Sequence, residues 1–181
     1  MNKENRQKNR VITAGRECAY LALFVALLLA AQLVFAAIPG VELVTALFVA
    51  FSFSFGIRRG VLAATVFSLL RQFVFGFFPN VLILYLLYYN LLALLFGFLG
   101  GKVQKPVKAL WWLTLLACFC SVCFSLFDNI ITPLWYAYTK EAAKAYFFAS
   151  LSVLLPQVIC TAVTVGVFFL PLQRVFTFVK R

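Results

Sequence analysis

The hydrophobic and polar positions of this chain form long apolar blocks that are separated by short polar or basic stretches. The first block runs from Cys18 to Val41 and comprises 24 residues without a charge. At ~1.5 Å per residue, about 20 helical residues cross the ~30 Å hydrocarbon layer of a bilayer. This block therefore predicts a membrane-spanning helix.

Six blocks of this kind predict six spans, with approximate bounds 18–37, 42–57, 60–78, 81–101, 109–127 and 145–170. Prolines at Pro39 and Pro79 mark two of the turns, and clusters of basic residues mark others. Residues 132–144, between spans 5 and 6, predict a short interfacial helix or loop with Thr132 as its cap and Pro133 at its first position.

The composition leads to the same class of protein. The chain is 65% hydrophobic and 12% charged, whereas soluble domains are about 45 to 50% apolar. We therefore predict an all-α integral membrane protein, with one six-helix domain over 17–174, a basic, frayed segment over 1–16 and a tail over 175–181. The basic start resembles a signal peptide, but its apolar run is longer than an h-region, so we expect it to be retained.

The distribution of basic residues predicts the orientation. Both termini are expected in the cytoplasm, because 13 of the 16 basic residues then lie on that side, two lie opposite and Arg71 lies within a span. The 13 are Lys3, Arg6, Lys8, Arg10, Arg16, Arg58, Arg59, Lys102, Lys105, Lys108, Arg174, Lys180 and Arg181, and the two are Lys140 and Lys144. The excess of positive charge thus indicates topology and does not indicate binding to nucleic acid.

Enzymatic activity is not expected from these residues. The sequence contains no histidine, no Gly-x-x-x-x-Gly-Lys loop and no pair of carboxylates within a span. Cys118, Cys120 and Cys123 do not predict a metal site, because Cys118 and Cys120 point about 200° apart on a helix. We expect no cofactor, and any ATP hydrolysis would come from another chain.

Arg71 is the sharpest single signal, since an ionisable residue inside a bilayer is costly and often functional. One interpretation is a contact to an anionic substrate group, and the other is a salt bridge to Glu42 or Asp128, which enter from the same outer side. Both interpretations stay open from the sequence alone.

Span 4 offers a group of polar and aromatic side chains at a similar depth. Tyr85, Tyr88 and Tyr89 share one helical side and are placed either to stack on a flat ring or to form an interfacial aromatic belt. Asn90 must meet another helix, water or a ligand, because an unpaired amide in hydrocarbon is costly. In span 6, Gln157 follows Pro156, which either opens a cavity or only kinks the helix.

Two ridges of small residues suggest close helix packing. Ala22, Ala26 and Ala30 recur at every fourth residue of span 1, and this ridge either docks a partner protein or packs inside the bundle. A second ridge in span 4 comprises Ala93, Gly97 and Gly101, and we expect it to pack within the bundle.

Several motifs resemble those of the substrate-binding S components of energy-coupling factor (ECF) transporters. They are the basic N-terminus, the Ala-x-x-x-Ala-x-x-x-Ala ridge, the loop Ile-Pro-Gly-Val-Glu-Leu-Val-Thr over 38–45 and the stretch Phe-Gly-Ile-Arg-Arg-Gly over 55–60. The resemblance covers roughly 17–174, as judged by these motifs in a chain with six predicted spans.

The resemblance implies a subunit of a prokaryotic plasma-membrane importer that binds a vitamin or a related micronutrient near its outer face. The ridge of Ala22, Ala26 and Ala30 would then dock onto a transmembrane coupling protein that is driven by two ATPase subunits. The implied ligand contacts are Glu42, Arg71, Tyr85, Tyr89, Asn90, Asp128 and Gln157.

The substrate and two other functional classes stay open. Arg71 would suit a vitamin with a carboxylate, whereas the aromatic content would suit a large ring system such as cobalamin. A scaffold or assembly subunit without a ligand is a second class, in which the polar groups serve helix packing. A self-contained channel or secondary transporter is a third, although spans 1–3 and 4–6 share no convincing similarity.

Overall fold

The computed structural model describes residues 3–38, 42–103 and 105–180. Over these residues the chain forms six helices and no strand, so the predicted all-α class is confirmed. The helices are α1 (Lys3–Phe35), α2 (Val44–Phe55), α3 (Ile57–Phe75), α4 (Pro79–Lys102), α5 (Pro106–Trp135) and α6 (Lys140–Lys180).

Four of the helices are long and apolar enough to cross a membrane, as expected for a membrane protein. These stretches are Gly15–Phe35, Pro79–Lys102, Pro106–Trp135 and Lys140–Val179. Helix α2 is apolar but has only 12 residues, which is about 18 Å at the helical rise. Helix α3 has 19 residues and carries Arg58, Arg59 and Arg71.

Helix α2 forms the centre of the bundle. It packs against each of the other five helices, and ten of its 12 residues, 44–53, are buried. Aromatic contacts extend from it, because Phe48 lies 4.7 Å from the ring of Tyr89 and Phe51 lies 3.8 Å from that of Phe24. Eight of these ten buried residues are apolar, as expected for a helix that is surrounded by other helices, and the two exceptions are Thr45 and Ser52.

One end of the bundle collects several of the basic residues, and we call it the basic end. There Arg59 at the start of α3 forms an ion pair with Glu17 of α1. Phe176, near the end of α6, lies 5.8 Å from the ring of Phe55 at the end of α2. The helix ends that carry Arg58, Arg59 and Arg174 therefore meet at one end of the molecule.

The opposite end, which we call the polar end, is held by hydrogen bonds between side chains of different helices. Gln32 of α1 donates to the hydroxyl of Tyr85 of α4 at 2.9 Å. Asn80, at the start of α4, donates to the hydroxyl of Thr132 of α5 at 3.2 Å. The α1–α2 connection, the start of α4 and the end of α5 thus lie at this end.

Glycines on α4 allow the helices to approach closely at the basic end. A Cβ atom on Gly97 would lie 2.7 Å from the backbone nitrogen of Ile57, and one on Gly100 would lie 2.0 Å from the carbonyl oxygen of Phe53. Gly101, which the sequence assigns to the internal ridge, has open space around it. The internal ridge is therefore Ala93, Gly97 and Gly100, whose spacings of four and three lie on one helical face.

The structure differs from the predicted boundaries at both long helices. Helix α1 begins at Lys3, so residues 3–16 are helical and the prediction of a frayed segment is wrong there. The segment has no proline, and Lys, Arg, Gln and Glu continue a helix that has already formed. Helix α6 extends past the predicted end at 170 to Lys180 and includes Pro156 and Pro171.

The predicted helix start at Thr132 and Pro133 is also wrong, because α5 continues to Trp135 with Pro133 inside it. The helix ends in a reverse turn: the N–H of Tyr138 donates to the carbonyl of Pro133 at 3.0 Å, and Ala137 has φ of +48°. This 6→1 bond with a left-handed residue is a Schellman motif. Lys140, Glu141 and Lys144 then belong to the start of α6.

Candidate functional site

The alanine ridge of α1 faces away from the bundle. Ala22, Ala26 and Ala30 are all exposed, whereas Phe24 and Leu28, on the other side of the helix, are buried. The interpretation that this ridge packs inside the chain's own bundle therefore does not hold. The exposed ridge is available to lipid or to another protein.

A cavity of about 250 Å³ lies at the polar end. It is enclosed by the end of α1, the start of α2 and the facing parts of α4, α5 and α6. Its principal side chains are Gln32, Glu42, Tyr85, Tyr89, Phe124 and Gln157. Tyr85 lies six residues into α4, or about 9 Å along the helix, so the cavity is set into the bundle.

Glu42 is the acidic residue of this cavity, and it connects the α1–α2 connection to α6. Its carboxylate accepts hydrogen bonds from Gln157 Nε2 at 2.7 Å and from Thr45 Oγ1 at 2.9 Å. Its backbone N–H donates to Cys160 Sγ at 3.2 Å, and its carbonyl accepts from Thr164 Oγ1 at 3.3 Å. Both ends of the residue are thus fixed, and the carboxylate holds a defined position.

Arg71 reaches the site through Tyr85. Its guanidinium carbon lies 4.3 Å from the centre of the Tyr85 ring and 5.0 Å from that of Phe75. Its Nε and Nη1 atoms are buried without a hydrogen-bond partner. The alternative of a salt bridge to Glu42 or Asp128 is not formed, since the ion pair found over the described residues joins Arg59 to Glu17.

The tyrosines of α4 lie inside the bundle. Tyr88 and Tyr89 are each only 3% exposed, and such burial does not fit an aromatic belt at the headgroups. The Tyr85 ring lies 5.2 Å from that of Tyr89 and 5.9 Å from that of Phe124. Three aromatic rings therefore form a connected wall of the cavity.

Asn90 lies elsewhere. Its amide nitrogen donates to the carbonyl of Leu86 in its own helix at 2.8 Å, and its amide oxygen accepts from Thr65 of α3 at 3.3 Å. Its polar atoms are thus satisfied by helix packing, and it does not line the cavity at Glu42.

Asp128 lines a second cavity of about 320 Å³ between α5 and α6. Its carboxylate accepts from Tyr146 at 2.6 Å and from Thr132 at 2.8 Å. Phe124, Val153 and Gln157 line both cavities. The two cavities are therefore neighbours that share one wall.

Two important side chains of the first cavity, Gln32 and Phe124, are not among the site residues predicted from the sequence. Gln32 is the amide side chain of the first apolar block, and the desolvation argument used for Asn90 applies to it equally. Phe124 is one of 22 phenylalanines, so its position in the wall had no signal in the sequence.

The geometry is that of a small-molecule site: a concave space with aromatic walls and a few fixed polar groups. No family model, curated protein or solved structure matches the chain.

Proposed function

We propose that this protein is the substrate-binding S component of an ECF-type importer, which captures a vitamin or related micronutrient at its polar end. The cavity at Glu42 would hold the ligand, and the alanine ridge would dock the transmembrane coupling protein that two ATPase subunits drive. The observation that carries the proposal is the exposure of Ala22, Ala26 and Ala30 on α1, because small residues at this spacing suit close helix association.

The proposed topology has six spans with both termini in the cytoplasm of a prokaryotic cell. The basic end would then face the cytoplasm, in keeping with the excess of basic residues at the helix ends found there. Helix α2 is short for a span, but it is surrounded by protein, so its length need not match the bilayer. The polar end, with its cavities, would face outward.

A scaffold subunit without a ligand is the competing class. It would account for the exposed ridge, but it gives no reason for a cavity into which a fixed carboxylate and three aromatic rings project. The cavity therefore favours a ligand-binding role.

The first test identifies the cargo. We expect protein purified in detergent to retain a small molecule that mass spectrometry detects, and added cargo to raise the midpoint of thermal unfolding. A preparation that is empty and gains no stability from any vitamin would contradict the proposal.

The second test separates docking from binding. In cells that carry the coupling protein and the ATPases, Ala26→Leu should abolish uptake while affinity for the cargo stays within about twofold, because the ridge lies outside the cavity. Val163→Leu is the matched control, since Val163 is 57% exposed on α6, and it should retain uptake. The more drastic Ala26→Arg should also leave the isolated protein folded; unfolding would mean that the ridge packs internally.

A further inference from the structure

The carboxylate of Glu42 has only neutral partners. Its two oxygens accept from an amide and a hydroxyl, Gln157 and Thr45, and no Lys or Arg is among the described residues that line the cavity. This is notable in a chain with 16 basic and five acidic residues. A buried carboxylate gains most from a positive charge brought to the same depth, since neutral donors compensate only part of its lost hydration.

Arg71 does not supply that charge. Its Nε and Nη1 atoms are buried, and its guanidinium lies over the rings of Tyr85 and Phe75. Arg71 is not among the described residues that line the cavity, and a carboxylate on a ligand would not reach the buried Nε and Nη1 atoms in this arrangement. Arg71 thus holds the Tyr85 ring in place and leaves Glu42 as the charged group of the cavity.

The aromatic wall fits the same kind of ligand. The rings of Tyr85, Tyr89 and Phe124 lie within 6 Å of their nearest neighbour in the set, at 5.2 and 5.9 Å. The faces of aromatic rings attract cations, and groups of such rings bind quaternary and methylated ammonium ions. An aromatic wall beside a carboxylate therefore suits a cation that carries an apolar or ring-shaped body.

The cavity also limits the size of its ligand. Its volume of about 250 Å³ lies near the lower end of the range of about 300–1,000 Å³ that is typical of ligand pockets. This volume favours a small compound, such as one with a single ring.

We propose that the cavity at Glu42 selects a small organic cation, whose positive charge pairs with the Glu42 carboxylate while its apolar part lies against Tyr85, Tyr89 and Phe124. This inference rests on the proposed function and specifies the class of its substrate. It replaces the expectation that Arg71 selects a carboxylate-bearing ligand.

Three probes with one ring and different charges test the proposal: 1-methylnicotinamide is a cation, nicotinamide is neutral and nicotinate is an anion. Each is added to the full chain in detergent at up to about 10 mM, and the unfolding midpoint and the affinity are measured. We expect the cation to raise the midpoint most. Glu42→Gln should weaken its binding about tenfold, which corresponds to about 1.4 kcal/mol, and should leave nicotinamide nearly unaffected.

Two controls keep the result interpretable. Glu141→Gln removes an exposed acid on α6 and should leave the affinity for the cation within about twofold. The unfolding midpoint of Glu42→Gln without ligand shows whether that variant is folded. If it is unfolded, Thr45→Val is used instead, because it removes one neutral hydrogen-bond partner of the Glu42 carboxylate. Thr45→Val should change the affinity for the cation more than the affinity for nicotinamide.

The outcomes distinguish this inference from the proposed function. Stronger binding of nicotinate or nicotinamide than of the cation would overturn the cationic class, while a ligand site would stand. Binding of none of the three probes would also overturn it, and the retained-cargo and Ala26 experiments would then decide the proposed function separately.

Discussion

At the basic end the helices meet through backbone contacts and rings, whereas at the polar end they meet through hydrogen-bonded side chains. Gly97 and Gly100 bring α4 against the α2–α3 junction, and Phe176 packs on Phe55. At the other end, Gln32 bonds to Tyr85 and Gln157 bonds to Glu42. The same helices therefore use two kinds of contact along their length.

This difference assigns close packing of the helices to one end of the bundle and ligand binding to the other. Backbone contacts at glycine leave no space for a ligand, because the interior is close-packed there. Polar side chains fixed by partners can instead surround a cavity, and each one offers further hydrogen-bonding capacity to a bound molecule. The basic end is thus suited to hold the bundle together, and the polar end is suited to bind.

The largest expected effect breaks the close contact at the basic end. Gly100→Ala would place a Cβ atom 2.0 Å from the Phe53 carbonyl oxygen, so α2 and α4 must separate. We expect a loss of about 3 kcal/mol in unfolding free energy, or a fall in the thermal midpoint of about 6–12 °C. Gly101→Ala, with nothing near it, is the control and should change stability by less than about 0.5 kcal/mol.

A smaller effect is expected at the polar end from the cation–π contacts of Arg71. Arg71→Met keeps an apolar stem but removes the charge over Tyr85 and Phe75; we expect a loss of about 2 kcal/mol. Cargo affinity should also fall, because the Tyr85 ring loses its support. Measurement combines denaturant unfolding with ligand titration.

Arg58→Met serves as the control for Arg71→Met, since Arg58 is exposed at the basic end. This control should change the unfolding free energy by less than about 0.5 kcal/mol. An increase in stability of Arg71→Met would mean that burial of the guanidinium costs more than its ring contacts return. Unaltered cargo affinity in a folded variant would remove Arg71 from the support of the site.

The smallest effect concerns a polar contact between α5 and α6. The hydroxyls of Ser121 and Thr161 lie 2.9 Å apart and are buried, so Ser121→Ala and Thr161→Val should each cost about 1 kcal/mol. The double variant should cost about 0.6 kcal/mol less than the sum of the two. A matched pair uses Thr114→Val with Ser121→Ala, because Thr114 bonds to the Leu110 carbonyl of its own helix; its effects should be additive. Additivity at Ser121 and Thr161 would exclude a coupled contact.

The sequence was informative where a residue type has a local cost. The apolar blocks predicted the all-α class, and the desolvation argument identified Asn90 as an amide that needs partners, which Thr65 and the Leu86 carbonyl supply. The small size of Ala22, Ala26 and Ala30 identified a ridge, although exposure could be read only from the fold. These signals depend on single residues or on short spacings.

The sequence could not predict which distant residues meet. Glu42 and Gln157 are 115 positions apart, and Gln32 and Tyr85 are 53 apart, and no local pattern encodes such pairs. The end of α5 was also misjudged, because Pro133 is a plausible helix start as well as a tolerated residue in a last turn. The role of Arg71 was open because one of its two neighbouring rings, that of Tyr85, lies on a different helix from Arg71.

Helix α1 carries the exposed ridge on one face and contributes Gln32 to the cavity wall. Ala26 of the ridge and Gln32 are six residues apart, or about 9 Å along the helix axis. A continuous helix transmits a tilt over such a distance, so a partner protein bound at Ala26 would also move Gln32, which donates a hydrogen bond to the Tyr85 hydroxyl. Thermodynamic linkage makes the effect mutual: if bound cargo raises the affinity for the partner protein by some factor, the bound partner raises the affinity for cargo by that same factor.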